Sequence, residues 1–138
     1  MTHQNEYRKP LPVPSAVSQQ FWAGLREREV RLPRCRQCEK FVFYPRTICP
    51  FCMGVEFDWV KVSGNGKVYS FTVVRRAMIP AFQEATPYVL ALVELEEGPR
   101  LTTNIVNCDV GNVRVDMPVQ ATYDDVTAEI TLLKFEPA

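Results

Sequence analysis

The sequence predicts an all-β protein with one N-terminal helix, a four-cysteine metal ribbon and a small closed barrel of five or six strands. Three observations predict it. Two close cysteine pairs, Cys35-Arg36-Gln37-Cys38 and Cys49-Pro50-Phe51-Cys52, stand ten residues apart. After Glu56, short strand-like runs follow one another with no helical period between them. The chain has 138 residues and 46% apolar content, enough for one core and a small appendage. Residues 1–55 are therefore expected to hold the arm, helix and ribbon, and residues 56–138 the barrel.

The arm runs from Met1 to Pro14, where Pro10, Pro12 and Pro14 each oppose helix. A helix is expected from Ser15 to about Glu29, because Val17, Phe21, Trp22 and Leu25 recur at helical spacing before the polar Arg26-Glu27-Arg28. Its aromatic stripe either packs on its own ribbon and barrel or faces a partner. The ribbon covers Val30 to Val55, with short strands at Arg31–Arg34 and Phe41–Tyr44.

Strands follow at Phe57–Val62, Lys67–Arg75, Tyr88–Glu96, Leu101–Val106, Val119–Tyr123 and Ile130–Phe135. Gly64-Asn65-Gly66 marks a turn or bulge between the first two. Val89, Ala91, Val93 and Leu95 form one apolar face. So small a sheet hides its edges by closing. The connection Arg76–Pro87 is long and carries Met78, Ile79, Pro80 and Phe82, which serve as a lid or docking element or plug the barrel mouth.

Two residues between paired thiols suit a chelating turn. Four thiolates close a tetrahedron around a d¹⁰ cation and leave no open position, the pattern of structural zinc. The same set can hold iron in a one-electron redox module, a less favoured reading. Two disulfides are the alternative, disfavoured in a reducing cytosol. The first twenty residues are polar and resemble no signal peptide, and no stretch of ~18 apolar residues is present, so a cytoplasmic protein without a membrane partner is expected.

Net charge is zero, yet unevenly spread. Residues 1–55 hold nine Lys/Arg against four Asp/Glu, and residues 56–138 hold seven against twelve. The acidic barrel half has the wrong sign for a phosphate backbone, which argues against a nucleic-acid partner. A single-strand binder remains the main alternative in this architecture, with Tyr69 and Phe71 either stacking bases or filling the barrel.

A Phe-Trp-x-Gly-Leu helix (Phe21, Trp22, Gly24, Leu25) leads into the paired cysteines. Then come Val-Ser-Gly-x-Gly-x-Val-Tyr-Ser (Val62 to Ser70), Pro-Tyr-Val (Pro87 to Val89) and Val-Glu-Leu-x-Glu-Gly-Pro-Arg-Leu (Val93 to Leu101). In this order the parts resemble the acyl-CoA-associated OB-fold proteins, in which a rubredoxin-like zinc ribbon precedes the barrel. The likeness covers nearly all of the chain after Pro14. It implies an OB-type barrel and a non-catalytic accessory subunit that shapes the acyl-CoA site of a thiolase, a thiolase-fold aldolase or a related synthase. The family's zinc ligands fall on Cys35, Cys38, Cys49 and Cys52, and acyl-CoA is the ligand implied for the complex. In one respect the chain departs from the usual knuckle: Glu39 and Met53 stand where glycine commonly follows each second cysteine, with Gly54 one place late.

Independent catalysis lacks parts. His3 is the only histidine and sits in the arm. Cys108 lies between Asn107 and Asp109, near an expected turn and with no helix N-terminus beside it, and reads as an ordinary small packing residue. Asp124-Asp125, with Asp109 or Asp116, read as solvated turn residues rather than an acid–base pair. No catalytic residue is assigned. Phe21, Trp22, Met78, Ile79 and Phe82 are the candidates for partner or acyl-channel contact, and Arg34, Arg36, Lys40 and Arg46 those for the CoA phosphates.

Overall fold

The computed structural model describes residues 8–138; His3 lies outside them. Helix α1 (Gln19–Arg26) is shorter than the spacing predicts. At its front, Ser18 N–H bonds to the Ser15 carbonyl at 3.1 Å and the two hydroxyls meet at 3.1 Å, closing a separate turn. At its end, the Glu29 N–H reaches back to the Gly24 carbonyl and the Arg28 N–H to that of Leu25. This is the left-handed helix stop usually built on glycine. Arg28 takes that place, with φ 62.

Strand β1 (Val30–Cys35) pairs antiparallel with β2 (Phe57–Val62), from Val30 opposite Val62 to Cys35 opposite Phe57. Phe57–Val62, expected to open the barrel, thus belongs to this two-stranded sheet. The expected strand at Phe41–Tyr44 shrinks to a single bridge between Arg34 and Phe41. Pro33 accepts a bond from Val42 N–H at 2.9 Å but has no N–H to return one.

The barrel has five strands: β3 (Asn65–Val74), β4 (Tyr88–Leu95), β5 (Arg100–Ile105), β6 (Pro118–Asp125) and β7 (Thr131–Pro137). They close in the order β3-β4-β5-β7-β6. The seam between β5 and β7 is thin, with Ile105 opposite Phe135 as its one register pair. The predicted apolar face of β4 is buried throughout, since Val89, Ala91, Val93 and Leu95 are at most 2% exposed. The long connection contains a one-turn helix, α2 (Pro80–Gln83).

Strict alternation along β3 fails at Tyr69. The register slips between Val68 and Ser70, so Val68 points inward before the bulge, while Phe71 and Val73 pack on the core after it. Tyr69 is left outside beneath the Arg100 guanidinium, 3.8 Å from its ring centre. The two rings offered as one platform are therefore split by the bulge. Gly66 is needed for contact rather than conformation: a Cβ there would lie 2.4 Å from the Glu94 carbonyl oxygen across the β3–β4 pair.

Phe21, Leu25, Val30, Leu32 and Val62 share one core with Val68, Val93, Val119 and Phe135 of the barrel. The helix and the β1–β2 sheet are thus packed onto the barrel. Among the described residues, the cysteine end has its own small cluster, Cys35, Val42 and Cys49 with Phe57.

Candidate metal centre and its surroundings

The end of β1 supplies Cys35, the following turn Cys38, and the second turn Cys49 and Cys52. Each turn closes by a backbone bond: Glu39 N–H to the Cys35 carbonyl and Met53 N–H to the Cys49 carbonyl, both at 2.9 Å. Glu39 (φ 64) and Met53 (φ 68) adopt the left-handed conformation for which glycine is the usual residue. Gly54 has a different task. A Cβ there would come within 3.2 Å of Cys35 Sγ and 3.3 Å of Cys52 Sγ. Its N–H donates to Cys52 Sγ at 3.4 Å, and Phe51 N–H donates to Cys49 Sγ at 3.4 Å.

All four sulfurs lie within 4.8 Å of one another, with Cys35–Cys52 at 3.5 Å and Cys38–Cys49 at 3.7 Å. These spacings exclude disulfides, whose sulfurs sit about 2.05 Å apart. A tetrahedron of sulfurs about 2.3 Å from a central ion has edges of about 3.8 Å, close to what is seen. The Cys35 thiol is drawn down to about 7, first by the Cys38 backbone N–H. For Cys52 the Gly54 N–H acts downward, but burial and the three other sulfurs push it up to about 12. Four thiolates this close repel unless a cation lies among them. The donor set is therefore positioned to bind a metal and fits a thiophilic divalent ion.

The four basic residues expected near phosphates differ in their surroundings. Arg34 pairs with Glu39 at 3.3 Å, and Arg36 with Asp58 at 2.9 Å and Glu56 at 3.8 Å. The Lys40 ammonium sits 4.7 Å from the Phe51 ring centre. Arg46 is exposed. Unlike the other four partner candidates, Phe21 is 3% exposed and stacks edge-on with Trp22 and Phe43, so it belongs to the core. Trp22 is half-buried and Phe82 leans on Tyr88, whereas Met78 is 99% and Ile79 48% exposed. Sequence reasoning missed the ribbon's own apolar surface, Ile48, Phe51, Met53 and Val55, all exposed. The only signal was their place beside the cysteines.

Asp124 and Asp125 lie in β6 rather than in a turn and face apart. Asp124 meets Lys134 at 2.6 Å, and Asp125 meets Arg28 at 2.6 Å. Asp109 Oδ1 accepts from Gly111 N–H, Asp116 lies 3.7 Å from Lys67, and Cys108 packs against the core.

Residues 22–58 match the family described as "ChsH2, rubredoxin-like zinc ribbon domain", and residues 59–124 match "ChsH2, C-terminal OB-fold domain". A "DUF35 domain-containing scaffold protein" from Methanocaldococcus jannaschii is 41% identical over 104 residues, covering 74% of this chain and 73% of that protein. The chain belongs to the DUF35 family. A "Probable enoyl-CoA hydratase alpha subunit" from Thermomonospora curvata is 34% identical over 99% of this DUF35 chain, which spans 44% of that longer protein. "Benzoylsuccinyl-CoA thiolase subunit BbsA" of Thauera aromatica is 32% identical over 67% of this chain and 62% of its own length. Among solved structures, the "Ltp2-ChsH2(DUF35) aldolase" superposes with a TM-score of 0.81 at 34% identity, covering 92% of this chain and 98% of that one. Zinc ribbon and OB-type barrel, the fold read from the sequence, are thereby those of the family. Among the described residues no helix is long and apolar enough to cross a membrane.

Proposed function

We propose that this DUF35 chain is the non-catalytic, zinc-holding accessory subunit of a thiolase-like acyl-CoA enzyme complex, where it shapes the acyl-CoA site and stabilises its partner. The observation that carries the reading is the likeness to the DUF35 chain of an aldolase over nearly the full length of both. The likeness to a thiolase subunit supports it from a second side.

Zinc on Cys35, Cys38, Cys49 and Cys52 would supply a cross-link and no reaction, because four protein ligands fill a tetrahedral ion. Free thiols in this number suit a reducing, cytoplasmic setting. Partner contact falls first to Met78 and Ile79, the most exposed apolar residues of the long connection. Contact with CoA phosphates falls to Lys40 and Arg46, since Arg34 and Arg36 are already turned to carboxylates.

The test is co-expression with each thiolase-like or aldolase protein of the same organism. Co-elution is expected, with acyl-CoA turnover by the pair and none by this chain alone. Separate elution, or full activity and solubility of the larger subunit without this one, would refute the reading.

A further inference from the structure

Arg75 and Arg76 leave the end of β3 just past its last register pair with β4, Val74 opposite Tyr88, and both are exposed. Among the described residues neither meets a carboxylate, whereas on the barrel strands Lys67, Arg100 and Lys134 each do. Glu84 is the one acid between Arg76 and Tyr88, and it pairs with neither arginine. A third cation, Lys9 of the arm, sits 5.5 Å from the Phe82 ring centre on the same connection. This is a positive patch in the half of the chain that is richer in carboxylates than in Lys and Arg.

The apolar tip beside the arginines is held in shape. Ala77 N–H donates to Gln83 Oε1 at 2.8 Å, and the Gln83 amide donates to Thr86 Oγ1 at 3.2 Å. Phe82 N–H closes onto the Ile79 carbonyl at 2.9 Å, and the Phe82 ring leans on Tyr88. Within this frame Met78 and Ile79 stay 99% and 48% exposed. An apolar anchor ordered before contact loses little freedom on docking. Charge and apolar tip together narrow what covers them. A free anion would leave Met78 in water. A lipid surface needs a larger apolar face than two side chains. A nucleic acid needs open rings to stack on, and here Phe82 already has Tyr88 and Lys9 against it. A protein face with an apolar socket and carboxylates beside it satisfies both features.

We propose that the β3–β4 connection docks on an acidic rim around an apolar socket of the partner subunit, with Met78 as the anchor and Arg75 and Arg76 received by the partner's carboxylates. This inference rests on the assembly proposed above and adds the chemistry of the partner's face. The arginines then set how fast the two chains meet and how salt affects it. Met78 sets how long they stay together.

The test measures association and dissociation rates between the metal-loaded full chain and the thiolase-like or aldolase protein that co-elutes with it, at about 50 mM and about 500 mM NaCl. Arg75→Glu with Arg76→Glu should slow association at least about tenfold in low salt, with a smaller deficit in high salt. Arg75→Gln with Arg76→Gln should flatten the salt dependence. Met78→Gln should mainly speed dissociation. Metal content and far-UV spectra check that each variant folds. Association of both arginine variants at the unaltered rate and with unaltered salt dependence would overturn this inference and leave the assembly standing. If the unaltered chain associates with none of the candidate proteins, the assembly itself falls and this inference with it. Binding of phosphatidylglycerol vesicles or of an oligonucleotide by the unaltered chain, lost in Arg75→Glu with Arg76→Glu, would assign the patch to another class of partner and likewise overturn it.

Discussion

Arg28 clasps Asp125 with both arms of its guanidinium, Nη1 to Oδ1 at 2.9 Å and Nη2 to Oδ2 at 2.6 Å, across 97 residues of chain. The same guanidinium lies 5.7 Å from the centre of the Tyr123 ring. Arg28 is also the left-handed residue that ends α1. One side chain thus fastens the helix end to β6, from a backbone conformation that a β-carbon disfavours.

That double role separates two substitutions. Arg28→Ala loses the clasp and keeps the left-handed β-carbon, whereas Arg28→Gly loses the clasp but relieves the backbone. The glycine variant should be the more stable of the two by about 1 kcal/mol. Urea denaturation of both proteins measures the difference; equal stabilities would count against the role given to φ at this position.

Acid should weaken the same clasp. The Asp125 carboxyl is held at about 2 against an ordinary 3.8, first by the hydrogen bond from Arg28 and then by that from Thr131. Its folded form is thus the stronger acid, so its contribution is present above pH ~4 and is lost as pH falls from ~4 towards ~2. Both side chains are about half exposed, which keeps the effect modest. Asp125→Asn should flatten the stability profile in that interval, as thermal melts at stepped pH would show.

Metal removal should act on one end of the molecule. The four sulfurs and Val42 form a cluster separate from the main core, and isolated zinc fingers draw about 10–16 kcal/mol from their ion. A strong chelator, or Cys49→Ser, should release the turns between Cys35 and Gly54 while the barrel stays folded. Amide exchange would show protection lost there and kept in β4. Simultaneous loss in β4 would mean that the two clusters unfold as one.

Leu25 is fully buried in the core shared by helix and barrel. Leu25→Ala should cost about 2–5 kcal/mol, the range for a core leucine truncated in place. Denaturant unfolding measures it. A value under 1 kcal/mol would imply that α1 packs more loosely than its burial indicates.

At Gly66 the substitution is steric. Alanine would put a methyl 2.4 Å from the Glu94 carbonyl oxygen, forcing β3 and β4 apart next to the bulge. Gly66→Ala should lower the melting temperature, whereas Gly98→Ala, which meets nothing within 4 Å but keeps φ at 115, tests conformation alone. If the two variants melted alike, contact would not be the reason for glycine at position 66.

Met78 and Ile79 carry the assembly prediction. Neither is needed for the core, so Met78→Glu with Ile79→Glu should leave folding intact. Under the proposed function the double variant should no longer co-elute with the thiolase-like subunit. Unchanged co-elution would move the contact elsewhere, and the exposed ribbon residues Phe51 and Met53 would be the next to change.

Local chemistry by itself determined the cysteine clasp, the helix, the apolar face of β4 and the all-β order of parts. In each, neighbours in sequence set the outcome: chelate spacing, the helical period, or strict alternation. Tertiary structure decided the rest. Phe57–Val62 left the barrel because its pairing partner, β1, lies upstream of the cysteine turns. Tyr69 and Phe71 parted at a bulge that alternation does not encode. Phe21 went into the core while Trp22, one residue on, stayed half-buried against it. Burial and long-range pairing depend on which distant segments meet. A residue's type states what it prefers to touch, and only the closed fold states what is there to be touched.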